Sequence, residues 1–165
     1  MDRRQIGTKL VLEALGLSAK RLSTFNERLT IQKAIYLAQA AGVSLGYHFR
    51  WYLRGPYSPD LTNDVFAVAA ELGEGVDESE GWRLDERWYA VLQRLRGLIP
   101  AGDPQRRARE LELLASAHFL VRRGQVSRAD ATETAGVLRR FGKDYSVEDA
   151  ARSLGVLREH GLLPG

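Results

Sequence analysis

At 165 residues, with 44% hydrophobic and 27% charged side chains, the chain has the size and composition of a single globular domain, 1–165, able to bury a core of its own. The absence of cysteine excludes disulfides, thiolate metal centres and a cysteine nucleophile, and it suits a reducing compartment such as the cytoplasm. The net charge of +3 is modest, and the longest apolar run, VFAVAA at 65–70, is far short of the roughly 20 residues of a membrane span, so no membrane contact is expected.

Ile6, Leu10, Val11, Ala14 and Leu15 form one helical stripe in MDRRQIGTKLVLEALG. That stretch is an amphipathic helix ended by Gly16 and not a signal peptide. Thr24 with Glu27 predicts a capping box opening a second helix. This helix is apolar around most of its girth, with a narrow polar strip at Arg28, Gln32 and Gln39, which places it centrally in the core. From Tyr47 the period changes to two: Tyr47, Phe49, Trp51 and Leu53 point one way, and His48, Arg50, Tyr52 and Arg54 the other. A strand over Tyr47–Leu53 is predicted, with Phe49 and Trp51 packed on the helix that carries Ile31 and Ile35, and with Trp82–Leu84 as antiparallel partner.

Gly55-Pro56-Tyr57-Ser58-Pro59 is then a tight turn into a helix, capped by Ser58 with Pro59 at its first position. Leu61, Val65, Val68 and Leu72 follow at helical spacing, and GEGVDESEG at 73–81 is expected to be the most flexible loop. Asp85 caps a helix that stops at Pro100, and Asp103-Pro104 opens the next. Ser127 with Asp130, and Ser146 with Asp149, open the last two. The expected fold is mainly α, a compact bundle of roughly seven helices with one small two-stranded antiparallel β-hairpin.

Chemistry is sparse. The three histidines, His48, His118 and His160, have no metal spacing, and no phosphate loop, nucleophile elbow or dinucleotide fingerprint is present. Asp60 and Asp64 share a helix face, which first-turn acids do for dipole reasons alone. No catalytic residue, metal or cofactor is assigned, although Lys33, His48 and Asp60 are the residues an enzyme reading would use. An aromatic at Tyr57, flanked by Tyr52 and Arg54, exceeds what a structural turn requires and has the composition of an interaction hot spot. Lys33, in so apolar a helix, must snorkel, pair with an acid or face a groove.

Two blocks, RLTIQKAIYLAQAAG and FRWYLRGPYSPDL, together resemble the Panacea-type antitoxin domain family and the related YwgA-like bacterial proteins. The matching positions are Ile31, Gln32, Lys33, Ile35, Tyr36 and Leu37, then Trp51, Tyr52, Gly55, Pro56, Tyr57, Ser58, Pro59 and Leu61. The strong similarity covers about 25–70; LELLASAHFLV and the FGKDYSVE run are more similar to the YwgA-like branch. The resemblance implies a small, mostly helical bacterial protein without established catalysis. Antitoxin-branch members neutralise a toxin by direct contact, and some act as adaptors that hand a partner to a protease.

The expected function is therefore a non-catalytic protein-interaction module, antitoxin-like or an adaptor, whose protein partner is a cotranscribed toxin or a protease substrate. Its partner-binding residues are Lys33, Tyr52, Arg54, Gly55, Pro56, Tyr57 and Ser58. The alternative is a nucleic-acid-binding regulator with a winged-helix-like arrangement, compatible with a pI of about 9.4. Two features speak against it: no helix combines clustered cations with Asn or Gln for base readout, and the acids at 71–80 are expected beside the hairpin, where they would repel phosphate.

Overall fold

A computed structural model describes residues 1–127 and 130–165. Among them the chain forms seven α-helices and one two-stranded antiparallel sheet, as the sequence pattern predicts. α1 (Arg3–Ala14) starts from a reciprocal capping box between Asp2 and Gln5. α2 (Phe25–Ala40) starts at Thr24, which accepts the Glu27 N–H at 3.1 Å. The box there is only half made, because the Glu27 carboxylate takes the hydroxyls of Ser23 and Thr24 and not the cap's own N–H.

After the sheet come α3 (Pro59–Gly73), α4 (Glu86–Leu95) with a 3₁₀ turn at Arg96–Leu98, α5 (Pro104–Arg122), α6 (Ala131–Arg140) and α7 (Val147–Glu159). Asp85, Asp103 and Ser146 cap α4, α5 and α7 as expected. α6 differs. Its cap is Asp130, whose carboxylate accepts the Glu133 N–H at 2.9 Å, while Ser127 lies ahead of the helix and donates its own N–H to Glu133. The Ser127–Asp130 and Asp130–Glu133 pairs have the same spacing, and it is the second that caps the helix.

The core lies where α2 crosses α5. Every residue of α2 from Leu29 to Ala38 is buried, and so is every residue of α5 from Leu111 to Leu120. α1 and α3 pack on each other beside α2, and α7 joins α6 on the far side of α5. Such all-round burial leaves no amphipathic signature, which is why these two helices form the centre and the others its shell. No helix among the described residues is long and apolar enough to cross a membrane.

The hairpin corrects the sequence reading. β1 is Arg50–Tyr52, and its partner is not Trp82–Leu84 but β2, Gly55–Tyr57, in the register Arg50↔Tyr57, Trp51↔Pro56, Tyr52↔Gly55. Trp82–Leu84 has no ladder and leaves Trp82 exposed. Pro56 disguises β2, since a proline argues against a strand; a two-stranded sheet has only edges, where proline is tolerated. A partner two residues away also costs far less loop entropy than one thirty residues on. The tight turn is thus Leu53–Arg54, one step earlier than expected. Neither residue has a positive φ, and Gly55, at φ +86°, completes the reversal.

The alternation holds at Tyr47 and Phe49, which are buried, with Phe49 edge-on to Tyr36 of α2 at 5.3 Å. Trp51 is half-buried, packs against the core cluster that contains Ile31 and Ile35, and meets the rings of Phe119 of α5 and Phe141. Leu53 fails the pattern outright: as a turn residue it is 93% exposed. The 73–81 loop, expected to be the most flexible, is exposed apart from Ser79 and is linked to the N-terminal segment by ion pairs. Asp77 pairs with Lys9 at 3.2 Å, and Glu78 takes the Met1 amino group at 2.7 Å.

Ser58 accepts the Leu61 N–H, with Pro59 at the first helical position. Ser58→Ala is expected to lower stability by about 1 kcal/mol, read from the shift in urea midpoint at constant slope. An unchanged midpoint would show that Ser58 is held by its other contacts alone.

Candidate functional site

The extended chain from Tyr47 to Ser58 is fastened to α2 by two side-chain amides. Gln39 accepts the Tyr47 N–H and donates to the Tyr47 carbonyl, both at 2.9 Å. Gln32 accepts the Ser58 N–H at 3.0 Å and donates to the Ser58 carbonyl at 2.9 Å. A primary amide supplies one donor and one acceptor side by side, as a neighbouring strand would, so these glutamines stand in for a missing third strand. The polar strip of α2 is therefore not a solvated face. It is the seam that carries the hairpin.

Two buried lysines hold the hairpin from below. Lys33 is wholly buried and donates through Nζ to the Pro56 carbonyl; Lys143 donates to the Leu53 carbonyl at 2.9 Å. Glu112 of α5 faces both. One of its oxygens accepts from Tyr145 at 3.0 Å, and the other lies 3.5 Å from Lys143 Nζ. Burial pulls the Lys33 pKa down to about 7, with Glu112 opposing and Lys143 assisting. Burial lowers Lys143 as well, against the attraction of Glu112. With one carboxylate for two lysines, Lys143 and Glu112 form the ion pair and Lys33 is left without one of its own.

Above this layer, Ser116 Oγ packs on Gly55 with no hydrogen-bond partner. Four stretches singled out in the sequence meet here: Gln32 and Lys33, Gly55 to Ser58, Glu112 and Ser116, and Lys143 with Tyr145.

Over the lysines a groove of about 430 Å³ opens between α2, the hairpin and α3. Leu29, Phe25 and Arg28 of α2 line one wall, and Thr62 and Phe66 of α3 the other. Tyr52, Leu53, Arg54 and Tyr57 close the hairpin end. Tyr52 and Tyr57 meet edge to face at 5.2 Å, and Tyr57 is fixed to Thr62 by a 2.8 Å hydrogen bond. Arg54 lays its guanidinium over Phe25, 5.4 Å from the ring centre.

Of the residues assigned to binding from sequence, Lys33, Tyr52, Arg54 and Tyr57 line the groove. Gly55, Pro56 and Ser58 are buried behind it and act as framework. Phe25, Arg28, Leu53 and Phe66 were not assigned to it. Leu53 was discoverable, because an apolar residue in a two-residue reversal before a glycine cannot face inward.

The remaining candidates lie elsewhere. His48 and Asp60 are exposed, and Asp60 acts on Arg4 of α1 rather than on Lys33. Asp64 accepts from Arg4 at 2.7 Å, Tyr47 at 2.8 Å and Gln5 at 3.2 Å. Burial works to raise its pKa, yet these bonds bring the carboxyl below its usual range. His118 is a satisfied core histidine: Nε2 donates to the Leu162 carbonyl, so Nδ1 accepts from Tyr36, and burial lowers its pKa to about 4. No group of three or more potential metal ligands occurs among the described residues.

The acids of the 71–80 stretch are at the far end of α3, some 20 Å from the hairpin at ~1.5 Å per residue, and Glu71 and Glu78 bind the Met1 amino group. They do not stand beside the hairpin, and their expected repulsion of phosphate there is withdrawn. Comparison of the chain with known family models, curated proteins and solved structures returns no match.

Proposed function

We propose that this chain is a protein-interaction module that receives its partner on the groove between α2, the hairpin and α3. The observation that carries the reading is Leu53, a leucine 93% exposed at the tip of a hairpin whose base is held by two amide clamps and two buried lysines. Phe25, Tyr52 and Phe66 are also exposed beside it, so the apolar surface is contiguous rather than scattered. A rigidly held aromatic and arginine cluster around an apolar depression is the composition of a binding hot spot. No catalytic role is assigned to the chain.

An antitoxin-like or adaptor role is the version of this reading that the motif resemblance favours, and a cytoplasmic setting fits a cysteine-free sequence. The quoted motifs supply the clamps and the hairpin on which the exposed cluster is mounted.

The test places a photo-crosslinking amino acid at Leu53 in one strain and at exposed Tyr89 of α4 in another. A discrete adduct with a protein is expected from position 53 only. Arg54→Glu should weaken it at least about tenfold while leaving stability within about 0.5 kcal/mol, because exposed side chains contribute little to folding. Coexpression with the product of the adjacent gene asks whether that product is the partner. Equal adducts from both positions would remove the groove from consideration. Crosslinks to nucleic acid, with steeply salt-dependent affinity, would favour the regulator reading instead.

A further inference from the structure

The exposed charges of the groove have one sign. Arg28 and Arg54 line it, with buried Lys33 at its floor, and no aspartate or glutamate does. The acids around it are engaged elsewhere: the Glu27 carboxylate takes Ser23 and Thr24, Asp60 acts on Arg4, and Glu112 pairs with Lys143 and Tyr145 behind the hairpin. Among the described residues the Arg54 guanidinium has no hydrogen bond or ion pair; it lies over the Phe25 ring and is repelled by Lys143. Arg28 spends one nitrogen on the Leu22 carbonyl at 2.8 Å and has no carboxylate partner. Two cations therefore flank an apolar trough without a counter-charge, where a carboxylate gains more than it would in open water.

We infer that the occupant is an acidic peptide segment of the partner protein, one that seats large apolar side chains in the trough and places Asp or Glu against Arg28 and Arg54. The inference rests on the groove being a docking site and adds the chemistry of what docks. The walls contributed by Phe25, Leu29, Leu53 and Phe66 ask for apolar anchors. A small anionic ligand would leave the apolar wall of Phe25, Leu53 and Phe66 without a partner. A nucleic-acid strand would require a continuous row of cations rather than two at the rim of an apolar wall.

A random-peptide display library selected on the intact protein tests this. The selected peptides should be net acidic, with large apolar residues between the acids. Their affinity should fall at least about tenfold on Leu53→Ser and on Arg54→Glu, and it should weaken with added salt. Arg54→Glu should also accept a peptide in which the acids are replaced by lysine better than the unmodified protein does. Both positions are exposed, and thermal melting of each variant checks that the fold is retained.

Peptides that depend on Leu53 yet are neutral or basic would overturn the acidic assignment and leave the groove in place. Selection of peptides indifferent to both substitutions would overturn the assignment and the groove together. Leu53-dependent binding of a mixed-sequence single-stranded oligonucleotide, tighter than that of any selected peptide, would overturn the assignment in favour of nucleic acid.

Discussion

Gly55→Ala should be among the most damaging single substitutions in the hairpin, costing about 2–5 kcal/mol. Two terms add. Gly55 sits at φ +86°, where a Cβ costs roughly 1–2 kcal/mol. That Cβ would also stand 2.3 Å from Ser116 Oγ, an overlap that overpacked interiors relieve at about 1–3 kcal/mol. The second term has a remedy. Ser116 Cβ is 3.5 Å from the same point, an ordinary contact, so Ser116→Ala in the Gly55→Ala background should recover the steric part and leave the backbone part. Ser116→Ala alone should be neutral or stabilising, because the hydroxyl it removes is buried and unpartnered. Urea unfolding of the four proteins closes the cycle. Strict additivity would show that the helix shifts away from the hairpin and that the close approach has no energetic consequence.

Between pH 7 and pH 9 Lys33 should contribute a gain of about 2 kcal/mol in stability, partly offset by the Met1 amino group, whose pKa Glu78 and Glu71 raise and which works in the opposite sense. The native pKa of Lys33 is lowered to about 7 from an ordinary 10.5, so across that interval the unfolded chain binds a proton that the folded chain does not. Where the unfolded state holds more protons, stability rises with pH; below the native pKa both states are charged and the full deficit applies. Lys33→Met should flatten the rise, leaving a residual slope from Lys143, whose pKa is lowered in the same sense. Measurements should stop near pH 9, because burial raises the pKa values of Tyr36, Tyr47 and Tyr145 and their ionisation favours the unfolded chain above about pH 10. Identical pH profiles for the two proteins would mean that Lys33 remains charged through contacts other than those described.

What could be read from the residues was local. Ser58-Pro59, Asp103-Pro104 and Ser146-Asp149 mark helix starts because the cap and the N–H it accepts are two or three residues apart. The centrality of α2 was legible for the same reason, since all-round apolarity is a property of one segment. The site depends on contacts between distant segments. Gln32 meets Ser58, Glu112 meets Tyr145 and Lys143 meets Leu53, and no periodicity encodes such meetings. Gln32 and Gln39 were visible as a polar strip, but a strip bound to backbone and a strip bound to water look identical in sequence. The hairpin partner was missed because Pro56 argues against a strand, and the same error turned Leu53 inward.

The two amide clamps fix a length as well as a fold. Gln32 and Gln39 are seven helical residues apart, about 10 Å along α2, whereas the chain they grip runs from Tyr47 to Ser58, enough to reach some 36 Å if drawn out. The excess chain folds back on itself as the hairpin, which lies across α2 and α5 and is held there by Lys33 at Pro56 and Lys143 at Leu53. Lengthening each strand by two residues would advance the tip by about 7 Å and spare both glutamines, but it would carry the Leu53 carbonyl away from Lys143. The span of the hairpin is thus set at four fixed points, two glutamines at its ends and two lysines near its tip.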